Sequence, residues 1–146
     1  MLISVAIPAF NEEKLLPQTL AAVEKAQTAF TERGWETEVV ICDNNSTDAT
    51  AKLAEAAGAR VVFEPVNQIS RARNAAGNAA RGDWIVFLDA DSTPCPALMG
   101  KMATLMEDQA VIGAGVQIMM EGITLGGRAG ILFWNTLSRL FRWPAG

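Results

Sequence analysis

Asp89 and Asp91 flank Ala90 directly after the apolar run Trp84-Ile-Val-Phe-Leu88. In an extended turn, carboxylates two residues apart tend to point the same way. One can then meet a sugar hydroxyl while the other holds a divalent cation. Oxygen ligands favour Mg2+ or Mn2+, and either ion can in turn hold phosphate. The bland alternative is a helix cap built from Asp91 and Ser92 ahead of Pro94. Two more polar clusters follow apolar runs: Asn11-Glu12-Glu13 after Leu2–Ile7, and Asp43-Asn44-Asn45 after Glu36–Cys42. Asp43 can accept hydrogen bonds from a base or ribose, or simply end a strand. Glu12 and Glu13 can touch a ligand, or favour the dipole of a following helix. Asn44, Asn45 and Ser46 are expected to shape a loop and cap a helix. Arg71 and Arg73 lie at i and i+2 near the start of a helix, so they face different ways. Arg73 is the one expected to enter the site, where a guanidinium can meet a base edge or a phosphate.

Other chemistries are excluded by what the chain lacks. It has no histidine, which removes Ser-His-Asp triads, Cys/His zinc sites and imidazole bases. Acid–base work falls to carboxylates or to groups outside this chain. Cys42 and Cys95 follow no metal-ligand spacing, and a disulfide framework is not expected. No Gly-x-Gly-x-x-Gly follows the first strand, and no Walker A motif occurs, so phosphate must be held through the metal. The net charge is −4 without a basic cluster, so no nucleic-acid partner is expected. The longest uncharged apolar stretch, Val111 to Met120, is about half a bilayer span.

These residues need elements to position them. Leu2–Ile7 reads as a strand ended by Pro8, followed by a helix with Pro17 at its start and Leu20, Val23, Ala26 and Phe30 on one face. Glu36–Cys42 reads as a second strand, followed by a helix through Ala57 whose free amides Ser46 or Thr47 can cap. Ala59–Phe63 is a third strand, Ser70–Ala80 an alanine-rich helix, and Trp84–Leu88 a fourth strand. A helix over Pro96–Asp108 and a fifth strand over Val111–Met119 complete the series. Strands that are apolar throughout and alternate with helices imply a parallel sheet covered on both faces. Ligands bind outside the carboxyl ends of such strands, where all three clusters would meet.

Taken together, Val5-Ala-Ile-Pro-Ala-Phe-Asn-Glu-Glu13, Val39-Val-Ile-Cys-Asp-Asn-Asn-Ser-Thr-Asp48, Arg71-Ala-Arg-Asn74, Ala80-Arg-Gly-Asp83 and Ile85-Val-Phe-Leu-Asp-Ala-Asp91 resemble an inverting family 2 glycosyltransferase. The resemblance covers residues 2 to about 95. It implies a GT-A fold, a Rossmann-like three-layer α/β/α domain with a mainly parallel central sheet. It also implies a donor, a UDP- or GDP-sugar, and an acceptor hydroxyl of unknown identity. Pro8, Ala9 and Phe10 with Glu12 would line the nucleoside pocket. Asp43 would meet the base, Arg73 the base or phosphate, and Asp89 with Ala90 the ribose side. Asp91 would ligate Mg2+ or Mn2+ bridging the diphosphate. Asn44 stands where the family more commonly has a second aspartate.

The resemblance further implies that residues 1–146 are the nucleotide-sugar-binding portion, with 121–146 the start of an incomplete acceptor-side region. The general base belongs to that region; Glu121 is a poor candidate among mobile glycines, so the catalytic residue is unknown. The amphipathic segment 131–143 either packs on further chain, self-associates or lies on a membrane. The expected location is cytoplasmic, with peripheral contact at the inner membrane face as an option. Rival readings are a nucleotide-sugar-binding fragment without catalysis and a nucleotidyltransferase. A third is a haloacid-dehalogenase-like phosphatase, with Asp89 as nucleophile and Asp91 as acid–base.

Overall fold

Strand β1 (Leu2–Ala9) is buried along almost its whole length, and its two faces differ in size. Ile3, Val5, Ile7 and Ala9 face one side, where α1 (Leu16–Ala26), α2 (Thr28–Thr31), α3 (Thr50–Ala56) and α5 (Pro96–Met106) cover them. Leu16, Leu20, Val23 and Phe30 fill that layer with Met99 and Ala103. The other face presents Ala6 of β1 and Cys42 of β2 (Glu36–Asp43) to Ala72 and Ala76 of α4 (Ile69–Ala79). Small residues on both sides let that helix approach closely, which accounts for its alanine-rich sequence. The result is three layers, α/β/α. The structure is a computed structural model and describes residues 1–115. The chain divides into two units, Met1–Met106 and Glu107–Gly146, and the site belongs to the first.

With β3 (Arg60–Phe63) and β4 (Trp84–Phe87), the four strands are parallel in the order β3-β2-β1-β4. The chain steps outward from β1 to β3, then crosses α4 to the far side of β1. The direction of winding therefore reverses between β1 and β4, and such switch points are where open parallel sheets leave a crevice. Beside β2, the short β3 pairs only with Val40–Asp43, so the amino half of β2 is open on that side among the described residues.

Pro8 does not end β1, as the sequence reading expects; it pairs with Cys42, and Ala9 pairs with Asp43. The backbone polarity explains this. Leu88 N–H donates to Ala6 C=O at 3.0 Å, whereas Asn44 N–H donates to Ala9 C=O at 2.8 Å. Residues in the register of Ala6 thus face β4, and Pro8 is one of them. The ladder to β4 ends at that hydrogen bond, so the amide that proline lacks has no partner to lose.

The first helical segment also departs from expectation. It breaks at Gln27, where Gln27 N–H closes on Val23 C=O at 2.8 Å and Phe30 N–H closes on Gln27 C=O at 2.9 Å. Phe30 stays in the core and stacks on Trp35 at 6.1 Å. The expected fifth strand is absent over residues 111–115, where Ile112 is almost fully exposed. Gly113 and Gly115 weaken any strand there; residues 116–119 lie outside the described part.

The Ala80-Arg-Gly-Asp83 motif serves the amino end of the sheet, away from the site. Asp83 Oδ2 accepts Leu2 N–H at 2.8 Å, and Gly82 N–H donates to Ser4 Oγ at 2.8 Å. Ser4 Oγ in turn donates to Glu38 at 2.6 Å, joined there by Arg81 N–H at 2.7 Å and the Arg60 guanidinium at 3.0 Å. Burial pushes the Glu38 carboxyl up, but these donors together hold it below its ordinary value. Position 82 must be glycine in this geometry: a Cβ would sit 2.6 Å from Ser4 N and 2.8 Å from Trp84 O.

Candidate functional site

A cavity of about 360 Å3 opens at the carboxyl edge, at the switch point between β1 and β4. Its volume falls in the range of small-molecule sites. Pro8, Ala9, Phe10 and Glu12 line it from the end of β1; Asp89, Ala90 and Asp91 line it from the end of β4. Asn44, Asn67, Ile69 and Ala72 complete the wall. Seven of the nine residues expected at the site are therefore together, although up to 83 positions separate them (91 − 8). A larger groove of about 720 Å3 lies along α1 and α3, lined by Glu38, Arg60 and Arg81. It opens at the amino half of β2, far along the sheet from the clustered carboxylates, and volume alone is a poor guide to chemistry here.

The acidic residues of the rim divide by what they already bind. Asp43 is buried, opposite Ala9 in the sheet, and its Oδ1 accepts Ser46 N–H at 3.1 Å. It closes its own loop and stands outside the cavity lining. Asp48 accepts both the amide and the hydroxyl of Thr50, and Glu13 N–H as well. Glu13 Oε2 accepts Ala49 N–H at 3.1 Å in return. Those three carboxylates are occupied by structure. By contrast, the side chains of Glu12 and Asp91 have no hydrogen-bond or ion-pair partner among the described residues. Burial, first, and the nearby charges of Asp91 and Asp48 push the Glu12 carboxyl above its ordinary value. Two uncommitted carboxylates repelling each other at a cavity mouth form a cation-attracting field.

Asp89 is intermediate. Arg73 Nη2 donates to Asp89 Oδ1 at 3.0 Å, and the guanidinium lies 5.8 Å from the Phe87 ring centroid. Arg73 Nε is buried without an acceptor among the described residues. The pair is about half exposed on both sides, and such ion pairs contribute about 0–1 kcal/mol. A ligand can therefore take either partner at low cost. Arg71 points elsewhere, to Glu64 Oε1 at 3.0 Å, as the i, i+2 spacing requires. Arg73 is not itself part of the cavity lining; it reaches the site through Asp89.

The loops that carry Glu12 are locked to one another. Asn11, at φ +55°, receives Thr47 N–H on Oδ1 at 2.8 Å and donates its own N–H to Ser46 Oγ at 3.0 Å. Glu12 N–H donates to the buried Thr50 Oγ1 at 2.8 Å. Ser46 and Thr47 thus hold the loop after β1 rather than capping α3, as the sequence reading expects. Asn44 shapes its loop as expected, but the helix it serves is α4. Its Nδ2 donates to Glu64 C=O at 3.1 Å and Val66 C=O at 2.6 Å, and its Oδ1 accepts Gln68 N–H at 2.9 Å. Gln68 is the N-cap of α4.

Some site residues have no strong sequence signal. Asn67, Ile69 and Ala72 follow β3, and only the rule that ligands meet strand ends could have flagged them. Thr19 is buried in α1, and its hydroxyl donates to Ala90 C=O at 2.7 Å. The helix-cap alternative for Asp91 and Ser92 fails: α5 begins at Pro96, and neither side chain caps it.

No group of three or more metal-binding side chains occurs among the described residues. That fits a Mg2+ or Mn2+ taken together with a ligand, because Mg2+ is usually bound by one or two carboxylates plus substrate phosphates. Asp91 would offer its free oxygens to such an ion, and Glu12 and Asp89 line the same cavity.

The model of "Glycosyl transferase family 2" matches residues 4–142 of this chain. An uncharacterised glycosyltransferase of Mycobacterium tuberculosis is 31% identical over 121 residues, covering 83% of this chain and 51% of the relative. The chain spans about half the length of the first curated relatives that it matches. Among solved structures, Staphylococcus aureus TarS 1–349 in complex with UDP superposes at a TM-score of 0.61 with 26% identity, over 85% of this chain and 40% of that one. Glucosyl-3-phosphoglycerate synthase of M. tuberculosis, solved with Mn2+, UDP and glucosyl-3-phosphoglycerate, superposes at 0.56 with 30% identity, over 79% and 41%.

Proposed function

The chain belongs to glycosyl transferase family 2, and from that premise we propose that it binds a nucleotide-diphosphate sugar and supports transfer of the sugar to an acceptor hydroxyl with inversion. One observation carries the reading: Glu12 and Asp91, the rim carboxylates that the loops leave without a partner among the described residues, line the switch-point cavity together with Asp89. Family membership sets the phosphatase alternative aside. UDP in the two solved relatives, and Mn2+ in one, support a nucleotide donor and a divalent ion.

In this reading the nucleoside lies along Pro8–Phe10, with the exposed Phe10 and Ile69 side chains offering apolar surface to the base. Asp89 exchanges Arg73 for a ribose hydroxyl, and the freed guanidinium turns its donors to base or phosphate. Asp91 would hold the divalent ion. That ion, when bound, neutralises charge growing on the departing diphosphate. Displacement occurs in line at the anomeric carbon, while a carboxylate takes the acceptor's proton. The base belongs to the acceptor side; Glu121 and the segment 131–143 lie outside the described residues. A cytoplasmic location, with peripheral contact at the inner membrane face through 131–143, is part of the proposal.

The test is calorimetric titration of UDP and GDP into the chain, with Mn2+ or Mg2+ and with chelator. Asp91→Ala should abolish the metal-dependent part of binding and spare the rest. Equal weakening with and without metal would remove Asp91 from its role, and no nucleotide binding at all would refute the function.

A further inference from the structure

We propose that Thr19 is a positioning residue for the Asp89–Asp91 turn, and that its hydroxyl sets metal-dependent nucleotide affinity. Thr19 is 2% exposed and sits on the core-facing stripe of α1 between Leu16 and Leu20. A threonine there places a polar atom among aliphatic side chains, a cost unless the hydroxyl has a partner. Its partner is the carbonyl of Ala90, at 2.7 Å and 71 positions away. Ala90 is itself buried. Its C=O is thus pinned into the core, and the flanking Asp89 and Asp91 are left on the solvent side of the turn. The second bond in the turn, Ser92 N–H to Asp89 C=O at 3.1 Å, is local. Among the described hydrogen bonds, Thr19 alone ties the backbone of this turn to a helix; Arg73 of α4 holds only the Asp89 side chain.

The same helix carries the opposite wall of the site. Leu15 and Leu16 N–H donate to Glu12 C=O at 3.1 and 2.8 Å, so Glu12 is fixed to the head of α1. Through Thr19, α1 also fixes Ala90. The spacing between Glu12 and Asp91 is therefore set by one rigid element. A hydroxyl-free side chain at position 19 would leave the Ala90 carbonyl unpaired and free to turn toward water. The carboxylates would then be presented over a wider range of geometries.

The inference rests on the reading of Asp91 as the metal-holding residue. The experiment uses the full chain and Thr19→Val, Thr19→Ala and Thr19→Ser. Each is titrated with UDP or GDP, whichever the wild type binds more tightly, in Mn2+ and in chelator, with thermal melts alongside. Removing an outer hydrogen-bond partner of a metal site typically costs about 10- to 100-fold in metal affinity. Thr19→Val should therefore weaken Mn2+-dependent binding by about tenfold, while binding in chelator stays within about twofold and Thr19→Ser stays near wild type. If Thr19→Val fails to fold, the Ser and Ala variants decide, because they lose the same methyl and differ only in the hydroxyl. Equal affinities for Ser and Ala, or equal loss with and without Mn2+, would overturn the role of Thr19. A wild-type chain that binds nucleotide equally in Mn2+ and in chelator would overturn this inference while leaving nucleotide binding standing; no nucleotide binding at all would refute the proposed function as well.

Discussion

Asn44→Asp tests whether the amide at the end of β2 is required by its partners. The side chain is 3% exposed and makes three hydrogen bonds, donating to Glu64 C=O and Val66 C=O and accepting Gln68 N–H. Two carbonyls and one amide leave a single assignment of its oxygen and nitrogen. An ionised carboxylate keeps the bond from Gln68 but loses both donors. Each lost bond costs about 1–1.5 kcal/mol net, because both carbonyls are only part-buried and can turn to water. A loss of about 2–3 kcal/mol near neutral pH follows for the two together. A protonated carboxyl regains one donor, so its penalty falls to about 1–2 kcal/mol. The folded state therefore favours the protonated form and raises the introduced group's pKa above its unfolded value. The folded state binds more protons than the unfolded one, so stability falls as pH rises through the raised pKa. Asn44→Ala loses all three bonds, about 3 kcal/mol, with no such pH dependence. Urea unfolding of both variants by tryptophan fluorescence, between about pH 5 and 8, separates them. A loss below about 1 kcal/mol for Asn44→Asp at neutral pH, or parallel pH profiles for the two, would refute the reasoning.

Gly82→Ala should destabilise the chain by about 1–3 kcal/mol in urea unfolding, through the collision with Ser4 and Trp84, while nucleotide affinity of the folded protein is unchanged. Glu12→Gln should become more stable relative to wild type as pH rises above the ordinary glutamate value of 4.5, because burial first, and the charges of Asp91 and Asp48 next, raise the wild-type Glu12 pKa and disfavour its folded charged form; melting temperatures across that range report it, and a flat difference would refute the raised pKa. Arg73→Met should change stability by no more than about 1 kcal/mol, because its pair with Asp89 is exposed, yet lower UDP or GDP affinity in titration.

The strands were legible because each is a short apolar run bounded by polar residues, and the parallel sheet followed from helices between them. The site edge was legible for the same reason: Asp89 and Asp91 stand directly after such a run. Helical spacing shows that Arg71 and Arg73 face different ways, but not which of them turns to Asp89. What was hidden depends on partners distant in sequence. Thr19 reads as an ordinary helical position until Ala90 is beside it. Asn44, Ser46 and Thr47 are capping residue types, and the sequence correctly marks them as loop-formers, but which backbone groups they take is decided by the packing of neighbouring loops. Glu12 and Glu13 are chemically alike; only the reach of Asp48 and Ala49 to Glu13 leaves Glu12 free. Pro8 shows the converse, since a strand-ending residue is harmless where no neighbour asks for its amide.

The brevity of β3 has a consequence for solubility. Glu36–Val39 of β2 leaves backbone groups without a strand neighbour on that flank among the described residues. Uncovered flanks of this kind invite another chain to add itself as an extra strand, and charged side chains deter it. Here Glu36 and Glu38 supply that deterrent, and Glu38 is at the same time the anchor for Ser4 and Arg60. Neutralising both glutamates should therefore do more than loosen a network. It would turn the flank into an adhesive template, and concentration-dependent light scattering would rise before any change in the switch-point cavity at the other end of the sheet.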